Sequence, residues 1–259
     1  MSFNPSSVND LRLKEEKIRS MFSSKYGGFC TYFEKNFELY LSCIRYFDKK
    51  EWMSYKWEKR YGLILLVKLV STLKSSYELI ITGYYPESVT LTRGIYEAFL
   101  MLLFIQKFPS RAEELTGTRF KIGNAEKELG IVNSSLYFIM STFPHGNKAD
   151  VLSDLVYTAK GARTGISGGP QFPDHSDWFP VAMNSLMYYL WAILALLPKS
   201  QPEFKQNQIL SKRYDSLIRD FEHAYIRSYI NRAGEPSTLA IKGVDEILKV
   251  INSLPLWIK

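Results

Sequence analysis

Apolar side chains recur along this chain at alternating steps of three and four residues, a spacing that lines one face of an α-helix and scatters across both faces of a strand. Phe33, Phe37, Tyr40, Ile44 and Phe47 form one such row, and Leu63, Leu66, Val70, Leu73, Tyr77 and Ile80 form a second. Leu210, Tyr214, Leu217, Phe221 and Tyr225 form a third. Strand-like alternation is hard to find. The spacing therefore predicts an all-α protein, an antiparallel multi-helix bundle in which each row is buried against its neighbours.

Glycine and proline divide the helices. Gly83 ends one, and Pro86 falls in the first turn of the next, where a missing N–H costs nothing. Two helices at about 50–82 and 86–107 are thus expected to fold back as a central buried hairpin. Pro109, Gly130, the turn from Pro144 to Asn147, Pro198 and Pro202 divide the rest, leaving a long C-terminal helix from about 203 to Arg232. The one long stretch expected to be irregular runs from Gly161 to Trp178, where four glycines and two prolines oppose regular structure. A loop of that length in a compact helical chain points to function. No linker rich in Gly, Ser or Pro separates domains, so residues 1–259 read as one.

Hydrophobic residues make up 46% of the 259 and aromatics 15%, enough for a sizeable core. From Phe179 to Leu197 there is no charge. Pro180, Asn184 and Ser185 dilute the start of that run, and a buried central helix is expected there in place of a membrane span. The two cysteines, Cys30 and Cys43, lack metal-type spacing. With no apolar leader at the N-terminus, a reducing, cytoplasmic setting is expected.

Net charge is +7. The densest basic window, Lys49 to Arg60, interleaves Lys49, Lys50, Lys56, Lys59 and Arg60 with Trp52, Tyr55 and Trp57. Basic residues beside aromatics suit phosphate contact and base stacking, and a solvated helix face has the same composition. A second basic stripe, Arg219, His223 and Arg227, shares one helix face by its spacing of four. No P-loop, dinucleotide fingerprint or helical metal motif is present, and no cofactor or metal is expected. Asp174, His175 and Asp177 form a small carboxylate–imidazole cluster without further ligands to complete it.

Arg93 and Glu97 stand four residues apart at the start of the apolar run to Phe104. A charge sunk in such a segment needs a partner. The pair serves either as a structural tie or, with His175 and Arg163 of the glycine-rich loop, as the lining of a polar pocket.

Around this pair the chain resembles a group of bacterial helical proteins of unknown function. The shared elements are a helix ending in Gly-Tyr-Tyr-Pro, then Arg-Gly-x-x-Glu-Ala before a bulky apolar run. The likeness spans about residues 60–197 and includes Tyr157 and a later His-containing loop. Those proteins are similar to the HEPN helical bundles of prokaryotic toxin and antiphage systems, which implies a role in RNA cutting or nucleotide chemistry. HEPN ribonucleases pair an Arg with a His across four to six intervening residues. Here only three residues separate Arg219 from His223, so the resemblance bears on fold more than on activity. The expected function is interaction with protein or nucleic acid, in an antiphage or toxin–antitoxin setting. The alternative is an enzyme acting on RNA or a phosphorylated small molecule around Arg93 and Glu97. A protein partner or homo-oligomer is expected, RNA is a second candidate, and a membrane is not.

Overall fold

The structure is a computed structural model that describes residues 7–45, 54–116, 120–131, 156–158, 161–163, 169–176, 178–223 and 236–256. It is an all-α protein. The helices are α1 (Val8–Lys25), α2 (Gly27–Ile44), α3 (Trp57–Thr82), α4 (Tyr85–Lys107), α5 (Ile122–Leu129), α6 (Trp178–Ser200), α7 (Gln208–Asp220) and α8 (Pro236–Ser253). Short 3-10 segments cover Pro109–Thr116, Pro173–His175 and Pro202–Gln206. The chain divides into two compact units, one of residues 1–31, 72–94 and 134–186, the other of 32–71, 95–133 and 187–259.

In the first unit the α3–α4 turn is closed as expected, and its hydrogen bonds show why Gly83 is there. The Tyr84 N–H reaches the Leu79 carbonyl at 2.8 Å and the Gly83 N–H reaches Ile80 at 3.1 Å. This is the doubled C-terminal cap that needs a left-handed residue, and Gly83 has φ 93°. Beyond the turn, Ser76 of α3 meets Ser88 and Thr92 of α4 through hydroxyls 2.8 and 3.1 Å apart. These short side chains leave no bulk between the helices, and each finds a partner although all three are buried.

The second unit holds the largest apolar load, including Leu39, Leu63, Leu66, Phe99, Leu103, Trp191 and Leu194, all fully or almost fully buried. The Tyr40 hydroxyl donates to the Leu66 carbonyl at 2.5 Å. Gln106 is buried at the end of α4 and donates to the Pro255 carbonyl at 2.7 Å, fastening the segment after α8.

Several boundaries differ from the sequence expectation. α3 begins at Trp57 and not near 50, its first bond running from the Arg60 N–H to the Lys56 carbonyl. The apolar repeat that marks this helix in the sequence starts only at Leu63. Pro198 does not divide helices but sits in the last turn of α6. The Leu194 carbonyl, which a residue with an N–H at 198 would have bonded, accepts the Tyr214 hydroxyl at 2.8 Å instead. The helix expected from 203 begins at Gln208, because the Asn207 side chain caps it by accepting from the Leu210 N–H. Its expected C-terminal part, 224–232, lies outside the described residues. The stretch expected to be irregular also contains regular structure. Gly161–Arg163 pairs antiparallel with Val156–Thr158, with Thr158 opposite Gly161.

Candidate functional site

In the first unit, the chain around His175 does meet the hairpin, but at its turn. The Gln171 N–H donates to the Gly83 carbonyl at 2.8 Å. Two residues on, the ring of Tyr85 lies 5.3 Å from that of Phe179, in the first turn of α6. Phe179 also meets Tyr26 at 4.9 Å and Phe22 at 5.6 Å, so the end of α1 completes an aromatic wall.

Polar groups collect beside that wall. Lys25 Nζ donates to both oxygens of Asp174, at 2.9 and 2.8 Å, and the Tyr26 hydroxyl approaches the same carboxylate at 3.4 Å. The hydrogen bond to Asp174, with the Coulombic attraction of the same carboxylate added, holds the Lys25 pKa above its ordinary value against the opposing loss of solvation. Tyr85 is 0% exposed, and its hydroxyl has no hydrogen-bond partner among the described residues. Burial first, then the neighbouring Tyr26 and Asp174, push that phenol far above its usual pKa. The Ser176 hydroxyl is likewise buried without a partner among the described residues.

Arg93 belongs to the first unit and Glu97 to the second. Each is half-buried, and Gly94 between them is exposed. Both have partners within the protein. The His175 backbone lies in the 3-10 turn Pro173–His175, while Tyr157 and Arg163 lie on the two paired strands. Sequence reasoning missed Lys25, Tyr26, Tyr85 and Ser176. The quoted Gly-Tyr-Tyr-Pro contained Tyr85, but an aromatic beside a proline carries no sign that its hydroxyl will end up buried and unpaired.

The basic window belongs to the second unit. Lys56 is exposed and Arg60 half-buried, with Nε buried and without a hydrogen-bond partner among the described residues. Lys59 is 4% exposed; its ammonium lies 2.6 Å from Glu203 and 4.4 Å from the Tyr55 ring centroid. Lys49 and Lys50 lie outside the described residues. The outer side of α3 next to this end is apolar: Trp57, Ile64 and Val67 are 39%, 50% and 59% exposed. The Trp57 ring stacks on Tyr61 at 5.1 Å and 13°. On α7, Arg219 is exposed and its Nε donates to the Asp215 carbonyl at 2.8 Å. His223 is exposed in a wider π turn at 221–223, and Arg227 lies outside the described residues.

Among the described residues no group of three or more His, Cys, Asp or Glu is placed to hold a metal ion. α4 and α6 are long and apolar enough to cross a membrane by length and composition, and 61% and 72% of their apolar windows are buried within the protein. The fold class is thus a helical bundle with an aromatic-walled polar site in one unit and an exposed apolar helix face in the other. No protein family, curated protein or solved structure matches the chain.

Proposed function

We propose that this is a cytoplasmic interaction protein that engages single-stranded nucleic acid, RNA first among the candidates, on the outer face of α3. The observation that carries the reading is the solvent-facing Trp57–Tyr61 stack beside the exposed Lys56. A flat ring left open to solvent offers a stacking surface to any base, and nearby lysines meet the backbone phosphates. Ile64 and Val67 extend the exposed strip along the helix, and contiguous apolar surface of this kind marks a place where something binds. The net charge of +7 favours an anionic partner. The antiphage or toxin–antitoxin setting rests on the motif resemblance alone.

Fluorescence anisotropy of a labelled oligouridine tests the reading. The logarithm of the affinity should fall linearly with the logarithm of salt concentration. Trp57→Ala should weaken binding by roughly 5- to 100-fold, the equivalent of one lost base stack. A flat salt response, or a Trp57→Ala variant that binds as the parent does, would refute it.

A further inference from the structure

We infer that Lys59 is a positioning residue for the α3 surface: its buried ion pair with Glu203 holds the first turn of α3 in helical form and so keeps Trp57 and Tyr61 stacked as one platform. The inference rests on reading that surface as the nucleic-acid site. It also removes Lys59 from the phosphate contacts to which its charge alone would assign it.

Trp57 is the first residue of α3, and the first backbone bond of the helix runs from the Arg60 N–H to the Lys56 carbonyl at 3.1 Å. The leading N–H groups of any helix have no acceptor within it, so this turn is the one most prone to fray. Trp57 and Tyr61 stand four residues apart, and side chains at that spacing meet only while the turn between them is closed. Their rings lie 5.1 Å apart and 13° from parallel. The platform therefore depends on whatever keeps residues 57–61 helical.

Lys59 supplies that closure from the far side. Two residues past Trp57 it lies about 200° round the helix, and it is 4% exposed where Trp57 is 39%. Its Nζ donates to Glu203 Oε1 at 2.6 Å and sits 4.4 Å from the ring centroid of Tyr55, just before the helix. One ammonium thus gathers the approach to α3 and its first turn onto one carboxylate. The carboxylate has a firm base: Glu203 belongs to the 3-10 segment Pro202–Gln206, whose Phe204 is fully buried with its ring 5.1 Å from that of Tyr214. A buried pair is costly to break. While it is intact its two charges cancel, leaving little net attraction for a phosphate on the Trp57 face.

Removing Glu203 gives the two roles of the pair opposite signs. If the pair acted only through charge, loss of a carboxylate would make the protein more basic and tighten its hold on an anion. As a tie, its loss leaves the platform closed for only part of the time, and the apparent affinity falls by that fraction. Glu203→Ala should therefore weaken binding of labelled oligouridine by about 3- to 10-fold. Glu203→Gln has the same charge but keeps an acceptor for Lys59, and should stay closer to the parent. Lys59→Met should also weaken binding, yet keep the parent's slope of log affinity against log salt; a lost phosphate contact would flatten that slope by about 0.7 for a single strand. In the Trp57→Ala background, Lys59→Met should change affinity by less than about 2-fold, because it acts through the ring already removed. The inference alone is overturned if Glu203→Ala binds as well as or better than the parent, if Lys59→Met flattens the salt slope, or if its effect persists in full without Trp57. Should Glu203→Ala lose the parent's circular dichroism, Glu203→Gln takes its place, and tighter binding by that variant overturns the tie. A parent that does not bind oligouridine, or binds it equally without Trp57, sinks the surface reading and this inference together.

Discussion

Gly83 is constrained twice over, and Gly83→Ala separates the two constraints when set beside two other glycines. Its φ of 93° is one that L side chains rarely adopt, and a left-handed backbone costs a residue with a Cβ about 1–2 kcal/mol. A Cβ would also lie 2.6 Å from the Gln171 carbonyl oxygen and 2.9 Å from its nitrogen. Those are backbone atoms, held by the bond from the Gln171 N–H to the Gly83 carbonyl, so relief requires the segment to move. Forced overpacking of this kind adds about 1–3 kcal/mol. The lower entropy of an unfolded chain carrying alanine offsets about 0.4–1 kcal/mol. Gly83→Ala should therefore lose about 2–4 kcal/mol, a large share of the roughly 5–15 kcal/mol that holds a typical domain together. Gly130 carries the same backbone strain, at φ 75°, with nothing within 4 Å of a Cβ. Gly130→Ala should lose only about 1 kcal/mol, the backbone strain less the entropy offset. Gly94 lies in mid-helix, exposed, with nothing within 4 Å of a Cβ, so Gly94→Ala should gain about 0.5–1 kcal/mol. Urea denaturation followed by circular dichroism measures all three. If Gly83→Ala and Gly130→Ala agree within about 0.5 kcal/mol, the Gln171 backbone does not press on Gly83 and the close approach is wrong.

Two more outcomes follow from buried hydroxyls. Tyr214→Phe leaves the Leu194 carbonyl in the core without a donor and should cost about 1–3 kcal/mol in the same urea assay; no loss would mean that this carbonyl finds another partner. Burial raises the pKa of Tyr40, Tyr85, Tyr96, Tyr189 and Tyr214 above 10. Their folded-state values exceed the unfolded one, so the stability they confer is complete below about pH 10 and lost as pH rises beyond it. Tyrosinate absorbance from these side chains should appear together with loss of helical circular dichroism; its appearance near pH 10 with the helices intact would refute their burial.

How much could be read in advance varied with how the information was carried. The helices of the three apolar rows were legible because period and burial coincide, and Gly83 with Pro86 marked a turn whose chemistry is local. Helix ends were less so, because Asn207 and Pro198 act through partners that one-dimensional spacing does not reveal. The loop around His175 stands out by its glycines and prolines, yet it meets the hairpin at Gly83 and Tyr85, ten and eight residues before Arg93. A segment apolar on nearly every side offers no periodic cue to which turn a loop will choose. Lys59 had the composition of a solvated basic face, and only the fold brings Glu203 to it across 144 positions of sequence. The polar tips of Tyr85 and Ser176 left no trace at all, since hydroxyl satisfaction is a property of three-dimensional neighbours.

Pro198 and Tyr214 also constrain the order in which this chain can change. While the proline stands, the Leu194 carbonyl depends on the tyrosine, so losing Tyr214 first passes through a weakened protein. Once a residue with an N–H replaces Pro198, α6 can supply that bond itself, and the tyrosine becomes free to drift. Descendants of this sequence should therefore exchange the proline before the tyrosine, and a lineage keeping proline at 198 with phenylalanine at 214 should carry another donor beside residue 194.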